Sequence, residues 1–346
     1  MIMPGCITIA GGGLAGLTLG IALRQRGVPV TIWEAGHYPR HRVCGEFICG
    51  RGRETLAALG LNETLCRVNA RQAATASFFA HTTASPVRSL PAPALCLSRF
   101  ALDATLADQF RSLGGDLREG NRWQHSTLAE GIVQATGRRA QTRPEGWRWF
   151  GVKAHARNVE LTADLEVHLA PNGYVGLCRL TGGIVNVCGL FRRQGDEAGL
   201  PERTEMLRGV AGSALRERLA SAVFLAESVC AVGGLELRPQ RAREVSECRI
   251  GDALTMIPPF TGNGMSMAFE SAELAVEPLE HWSCGKASWS EACQSIASRC
   301  DQVFGRRLTW ANRLHKMMFI GPLQPAIVHW LPRFKWSWNF LFSHTR

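Results

Sequence analysis

Three hydrophobic patterns follow one another at the front of the chain. Residues 6–10 form a short apolar, β-branched run, as in a strand buried on both faces, and residues 14–26 space their apolar positions as a helix does. Gly27 stands where that helix should end, behind Arg24 and Arg26, and residues 28–33 repeat the strand pattern up to Glu34. Strand, helix and strand in that order predict a parallel βαβ opening.

Further on, a helix over 51–59 is closed by Gly60, and residues 70–97 read as strands around a proline-bearing turn. Ser98 caps a helix running to Leu113, where Gly114 and Gly115 stop it, and residues 132–136 are another buried strand leading into Gly137. From Val152 the period changes to two. Strands over 152–161, 164–169, 174–180 and 184–191, with turns at 171–173 and 181–183, predict an antiparallel meander. A helical stretch over 201–222 follows, then a short strand at 248–250 and a Pro- and Gly-rich loop at 258–264. The helix predicted over 265–277 should stop near Pro278. Together these elements predict an α/β protein in three parts. A Rossmann-like parallel unit (1–75, 98–145 and 242–282) is interleaved with an antiparallel-sheet unit (76–97 and 146–241), and a helical C-terminal segment (283–346) completes the chain.

The first turn carries chemistry. Gly11, Gly13 and Gly16 fall in G-x-G-x-x-G spacing between strand and helix, and Glu34 ends the second strand eighteen residues after Gly16. Gly11 permits the tight turn, Gly13 lets backbone approach a pyrophosphate, and Gly16 lets helix and strand pack closely. The helix N-terminus at Leu14 and Ala15 offers free N–H groups to phosphate, and Glu34, with Ala35 beside it, can accept from a ribose diol. His37, Arg40, His41 and Arg42 crowd the next loop, where Arg42 is favoured as a cofactor contact over a solvated basic loop. Gly262, Asn263 and Gly264 open a second helix at Met265, a second anion-stabilising device, and Asp252 can bond a ribitol or ribose hydroxyl or hold a turn. Lys153 and His155 share one face of a strand, where they line a substrate sheet or serve as ordinary strand residues.

Composition narrows the partners. Hydrophobic residues make up 46% and charged residues 20% of the 346, the balance of a globular chain. The net charge of +10 suits anionic ligands or an anionic membrane surface, and without an accompanying motif a nucleic-acid partner is not expected. Twelve cysteines form no C-x-x-C pair and mostly sit in apolar runs, so free thiols in a reducing, cytoplasmic setting are expected. No run of about 18 apolar residues suggests a membrane span. The tail mixes Trp310, Trp330, Trp336 and Trp338 with Phe319, Phe334, Phe340 and Phe342 and with Lys316, Arg333 and Lys335. That mixture serves either peripheral contact with the inner membrane surface or a core-packed helix with a basic edge. One face of the second unit's sheet is apolar, which favours a small hydrophobic or aromatic substrate. Nothing in the pattern fixes an oligomeric state.

Three blocks, AGGGLAG with WEA, RVCGEF, and GDALTMIPPFTGNGMSMAFESAELA, together with Arg99 opening a helix, carry a resemblance. The chain resembles the flavoprotein monooxygenase superfamily of the p-hydroxybenzoate hydroxylase fold, most closely its geranylgeranyl-reductase-like and polyketide-tailoring branch. The likeness covers most of residues 1–280 and leaves the tail without a motif. It implies FAD as resident cofactor, with Gly11, Gly13, Gly16 and Glu34 on the ADP half and Arg42 and Arg99 lining the cleft. Asp252 would meet the ribitol, and Gly262, Asn263 and Gly264 would lie beside the isoalloxazine, where a helix N-terminus stabilises the charge of reduced flavin. The activity implied is monooxygenation of a hydrophobic, polyketide- or isoprenoid-like molecule through a flavin C4a-hydroperoxide. Reduction of a C=C bond with Cys44 or Glu46 as proton donor is the alternative, as is action on a carrier- or protein-bound substrate. Where the hydroxylases carry an Asp-Gly pair, this chain reads Ala135-Thr136-Gly137-Arg138, so NAD(P)H is an open alternative as reductant. The W-x-W-x-x-I-P signature of flavin halogenases is missing; residues 147–152 read WRWFGV.

Overall fold

The computed structural model describes residues 5–126, 128–138, 146–194, 202–330 and 333–345. The chain opens with β1 (Ile7–Ala10), α1 (Leu14–Gln25) and β2 (Val30–Glu34). It continues through β3 (Phe47–Ile48), α2 (Gly52–Ala58), α3 (Asn62–Arg67), β4 (Arg71–Ala80), β5 (Thr83–Ala84) and β6 (Arg88–Cys96). Next come α4 (Arg99–Ser112), β7 (Asp116–Glu119), β8 (Ile132–Gln134), β9 (Trp147–Arg157), β10 (Leu165–Ala170), β11 (Gly173–Arg179) and β12 (Val185–Gln194). The last part holds α5 (Arg203–Leu207), α6 (Ala214–Arg218), β13 (Val223–Gly233), β14 (Cys248–Arg249), α7 (Gly264–Ser283), α8 (Trp289–Met318), α9 (Gln324–Trp330) and α10 (Lys335–Thr345).

Two sheets divide these strands. The first runs β14-β8-β1-β2-β7 with every pairing parallel, and α1 and α7 pack together against it. Its strands are short and apolar because both faces are covered, and Ile7, Ile9, Ile32, Leu17, Leu19 and Phe269 are fully buried there. The second sheet runs β13-β9-β12-β11-β10-β4-β6-β3 and is antiparallel except where β10 lies parallel to β4.

Several expectations are corrected. The four strands from β9 to β12 are not a meander, because β9 skips β10 and pairs with β12 from Val185↔Ala156 to Gln194↔Trp147. Arg71–Thr75, expected with the parallel unit, run in β4 of the second sheet, and β3 caps that sheet's other edge. The helix expected over 201–222 is two short helices, α5 and α6, followed by the unforeseen strand β13; Pro201 lies outside the described residues. Helix α7 runs through Pro278 to Ser283. The proline forfeits one helical hydrogen bond, but the buried side chains of Ala275, Val276 and Leu279 hold that turn in the core.

Candidate active site

Three bends distant in sequence meet at one edge of the parallel sheet. The N–H of Ala135, just past β8, donates to the Ala10 carbonyl at 2.7 Å, and that of Ile250, just past β14, donates to the Gln134 carbonyl at 3.0 Å. Because β1, β8 and β14 run parallel, residues 11–16, Thr136-Gly137 and Gly251-Asp252 all leave the carboxyl edge, where open α/β sheets bind ligands. Gly11 has φ +112°, and a Cβ there would lie 2.3 Å from the Ala135 carbonyl oxygen. A Cβ on Gly16 would lie 2.0 Å from the Gly11 oxygen, so packing of the bend itself demands both glycines.

Gly13 is different. Nothing lies within 4 Å of where its Cβ would stand, and the same is true of Gly264 at the start of α7 and of Gly137. Neither α1 nor α7 has a side-chain N-cap or an acid in its first turn. Two helix N-termini with uncapped N–H groups thus sit behind open glycines, ready for an anionic ligand. Leu14, Ala15 and Met265 are buried in those first turns, so their backbone and not their side chains faces such a ligand.

Around this cradle the charged residues are paired. Glu34 accepts from the N–H groups of Gly12 and Gly36, each at 2.9 Å, while Ala35 stands exposed after it. Arg40 salt-bridges Glu34, and Arg42 reaches both Glu34 at 3.4 Å and Asp103 at 3.0 Å. Burial would raise the Glu34 carboxyl, but the Gly36 N–H, Arg42, Arg40 and the Gly12 N–H outweigh it and hold the carboxyl below its ordinary range. The Tyr38 hydroxyl donates to the Gly12 carbonyl. Arg99 grips Asp103 with two bonds of 2.6 and 2.7 Å. Sequence reading missed Asp103; its signal was the i,i+4 spacing from Arg99 on one helix. Asp252 has no partner within hydrogen-bond reach among the described residues. Burial lifts its carboxyl to about 6, against the pull of Arg99 and Arg138.

The second glycine loop is clasped by the CGE block. Cys49 Sγ lies 3.0 Å from the Gly262 carbonyl oxygen, Ser266 donates to the Cys49 carbonyl, and a Cβ on Gly262 would meet the Phe47 ring at 2.4 Å. The side-chain oxygen of Asn263, which is buried, lies 3.4 Å from Cys49 Sγ. Just before, Glu46 sits at φ +59° and is fully buried. Its carboxylate lies 3.1 Å from Lys153 Nζ and 2.6 Å from His155 Nε2, and accepts the Arg99 N–H at 3.0 Å. Burial would raise the Glu46 carboxyl, but His155, Lys153 and that N–H hold it down as an anion. Burial pushes the neighbouring Cys44 thiol up and keeps it protonated. Lys153 and His155, expected to line a substrate sheet or serve as ordinary strand residues, are instead the buried partners of Glu46 in the CGE block. His41, Glu46 and His155 hold donor atoms within 4.8 Å of one another, as in a metal site. The Lys153 ammonium already lies 3.1 Å from both His41 Nδ1 and Glu46 Oε1, so this set is an ion-pair cluster.

Beyond Gly262 the second sheet, the loop bearing Phe260 and helices α8 and α9 enclose an apolar, aromatic cluster. Phe260 contacts Tyr174 (5.6 Å between ring centroids) and Phe78 (6.1 Å), and Phe319 contacts Trp149 (4.9 Å) and His315 (4.9 Å). The Tyr174 hydroxyl and both His315 ring nitrogens are buried without a hydrogen-bond partner among the described residues. Burial and Arg192 push His315 down to about 4, so the ring is neutral.

Comparison with known proteins now has a geometry to meet. Residues 6–159 match the family model described as FAD binding domain. Those residues are an FAD-binding domain, and the chain as a whole shares its fold with flavin-dependent enzymes. The chain is similar throughout its length to the halogenase PltM (TM-score 0.72, 15% identity, 99% of this chain and 86% of that one covered). It is similar also to the flavin-dependent brominase Bmp2 (TM-score 0.72, 15%, 94% and 89%) and to a flavoprotein/dehydrogenase from Cytophaga hutchinsonii (0.68, 18%, 98% and 96%). At such identities the likeness is one of fold. No curated protein matches the flavoprotein in sequence. The cradle fits FAD on its own terms: Gly13 and Gly264 leave open space before uncapped helices, and Asp252 is a half-buried acid that can accept from a hydroxyl.

Proposed function

We propose that this flavoprotein is a monooxygenase of lipophilic, aromatic or polyunsaturated molecules, which it holds in the aromatic cluster between Phe260 and the second sheet. The observation that carries this reading is the adjacency of Phe260, Tyr174, Phe78 and Trp149 to the loop at Gly262, beside two buried polar groups with no partner. FAD, when bound, supplies the redox chemistry. The chain's own residues do the rest. Uncapped N–H groups at the starts of α1 and α7 would hold the anionic parts of the cofactor. Phe78, Phe260 and Phe319 exclude water, and the Tyr174 hydroxyl and His315 orient one polar group of the substrate. The Lys153–Glu46–His155 cluster fixes the CGE block from behind with a buried ion pair kept out of solvent.

Halogenation fits less well, although the halogenases share the fold. In the signature W-x-W-x-x-I-P, Trp147 and Trp149 are kept, but Lys153 occupies the place of the proline, and it is committed to the ion pair with Glu46. Reduction of a C=C bond is the second reading, favoured by the half-buried, protonated Cys44 thiol in the CGE block. The experiment is turnover of polyene and aromatic test substrates with chemically reduced enzyme, with and without oxygen. Monooxygenation requires product only aerobically, with one oxygen atom incorporated; anaerobic product would replace it with the reductase reading. NADH and NADPH added in turn to the oxidised enzyme identify the reductant.

A further inference from the structure

The C-terminal segment has two faces, and only one belongs to the core. Met318, Phe319 and Val328 are buried in the aromatic cluster, and Trp338 is buried with its indole N–H donating to the Ser89 carbonyl at 2.9 Å. These contacts fix α8, α9 and α10 on the protein. Most of the large hydrophobic side chains left exposed among the described residues then fall in the same segment: Met317, Ile320, Leu323, Trp330, Phe334 and Trp336. Trp336 is 73% and Trp330 56% exposed. Three of the rings line up, Trp330 on Phe334 and Phe334 on Trp336, each pair at 6.4 Å, and the Arg333 guanidinium lies over Trp330 at 5.8 Å. Phe340 and Lys335 have side chains outside the described residues.

Charge decides what would cover this face. No Asp or Glu follows Asp301 in the sequence, while Arg313, Lys316 and Arg333 stand exposed. A protein partner is ordinarily met by charges of both signs, whereas an anionic lipid surface is met by cations alone, with tryptophans seated at headgroup depth.

We infer that α9, α10 and the end of α8 dock this protein peripherally on an anionic bilayer, with Ile320, Leu323, Trp330, Phe334 and Trp336 entering the interface and Arg313, Lys316 and Arg333 on the headgroups. No helix among the described residues is long and apolar enough to cross a membrane, so the contact is interfacial. Because the same helices wall the aromatic cluster from within, docking brings that cluster against the lipid phase, where a lipophilic substrate would be dissolved. The docking itself does not depend on the proposed reaction.

The test is co-sedimentation of the FAD-loaded full chain with phosphatidylcholine vesicles, with and without phosphatidylglycerol, at low and high salt. Wild type should pellet with the anionic vesicles and be weakened but not abolished by salt. A Trp330→Ser/Trp336→Ser variant should partition about tenfold less strongly while keeping the same flavin content and melting temperature. Failure of wild type to bind either vesicle overturns the proposal. So does equal binding by wild type and variant, or binding to an acidic protein while vesicles are ignored. None of these readouts uses turnover, so they stand apart from failure of the monooxygenase reading.

Discussion

The Nε2 of His155 lies 2.6 Å from the Oε2 of Glu46, across 109 residues of sequence. This contact ties strand β9 to the loop between β2 and β3, and with Lys153 it surrounds a buried carboxylate whose own backbone sits in the left-handed region at φ +59°. The strained backbone is held by its side chain, so β9 and the segment leading into β3, at distant places in the second sheet, are joined through an ionised group.

Glu46→Gln should therefore be costly. It leaves Lys153, which is 0% exposed, without a counter-charge, and breaking a buried pair from one side costs about 3–5 kcal/mol. Glu46→Gln with Lys153→Met should recover much of the loss, as chemical denaturation will show. The wild-type carboxyl is held below its ordinary value, so its stabilisation is complete above about pH 4.5 and fades as pH falls through the lowered folded-state value. If both single variants and the double variant were equally stable, the cluster would have no structural role.

Gly13 and Gly16 should respond oppositely to the same methyl group. At Gly16 a Cβ meets the Gly11 carbonyl at 2.0 Å, so Gly16→Ala should destabilise the fold by about 1–3 kcal/mol or prevent it. At Gly13 it meets nothing, and the backbone at φ −82° suits alanine. Gly13→Ala should keep the apo-protein's melting temperature within a few degrees while FAD affinity falls about tenfold or more, as flavin fluorescence titration measures. Unchanged affinity would remove the pyrophosphate from this bend.

The contrast between those glycines shows where sequence reading succeeded. Strand β1, α1, β2 and the second glycine loop were legible because each carries its own local signal: periodicity, turn glycines, an acid at a strand end. The polar strand β7, DLRE, was not, because an edge strand needs only a neighbour to pair with and has no buried pattern of its own. Strand β13 was hidden by the bulge between Leu225 and Cys230, which breaks its alternation. In the first bend, Gly11 and Gly16 could be named in advance from their spacing, and the structure packs both against backbone. Lys153, His155, Tyr174 and His315 could not be given their places, since their importance arises only when β9, β11 and α8 are brought against the glycine loops.

Tyr174→Phe separates a waiting group from a packing one. The hydroxyl is buried with no partner, so deleting it should leave stability unchanged or raise it by up to about 1 kcal/mol. If the hydroxyl positions substrate, kcat/KM should fall about tenfold, mostly through KM, with flavin content unaltered. A variant with unaltered kinetics would make Tyr174 a wall of the cluster and nothing more.

His315 gives the same question a pH axis. Its imidazole is held neutral down to about pH 4, by burial first and then by Arg192, whereas in the unfolded chain it takes a proton near pH 6.5. The unfolded state therefore binds the extra proton between those values, and native stability must fall as pH drops from about 6.5 towards 4. The most this one group can contribute is about 3 kcal/mol. His41 and His168 are pushed down in the same direction and remain in any single variant, so the informative quantity is a difference in slope. His315→Leu replaces a ring with two orphaned nitrogens by an apolar side chain among Trp149 and Phe319, and should be as stable as wild type at pH 7. Urea denaturation at pH 7, 6 and 5 should show the variant losing less stability on acidification than wild type. Parallel loss in the two proteins would mean that His315 already takes its proton in the fold, and with it a partner in the cluster.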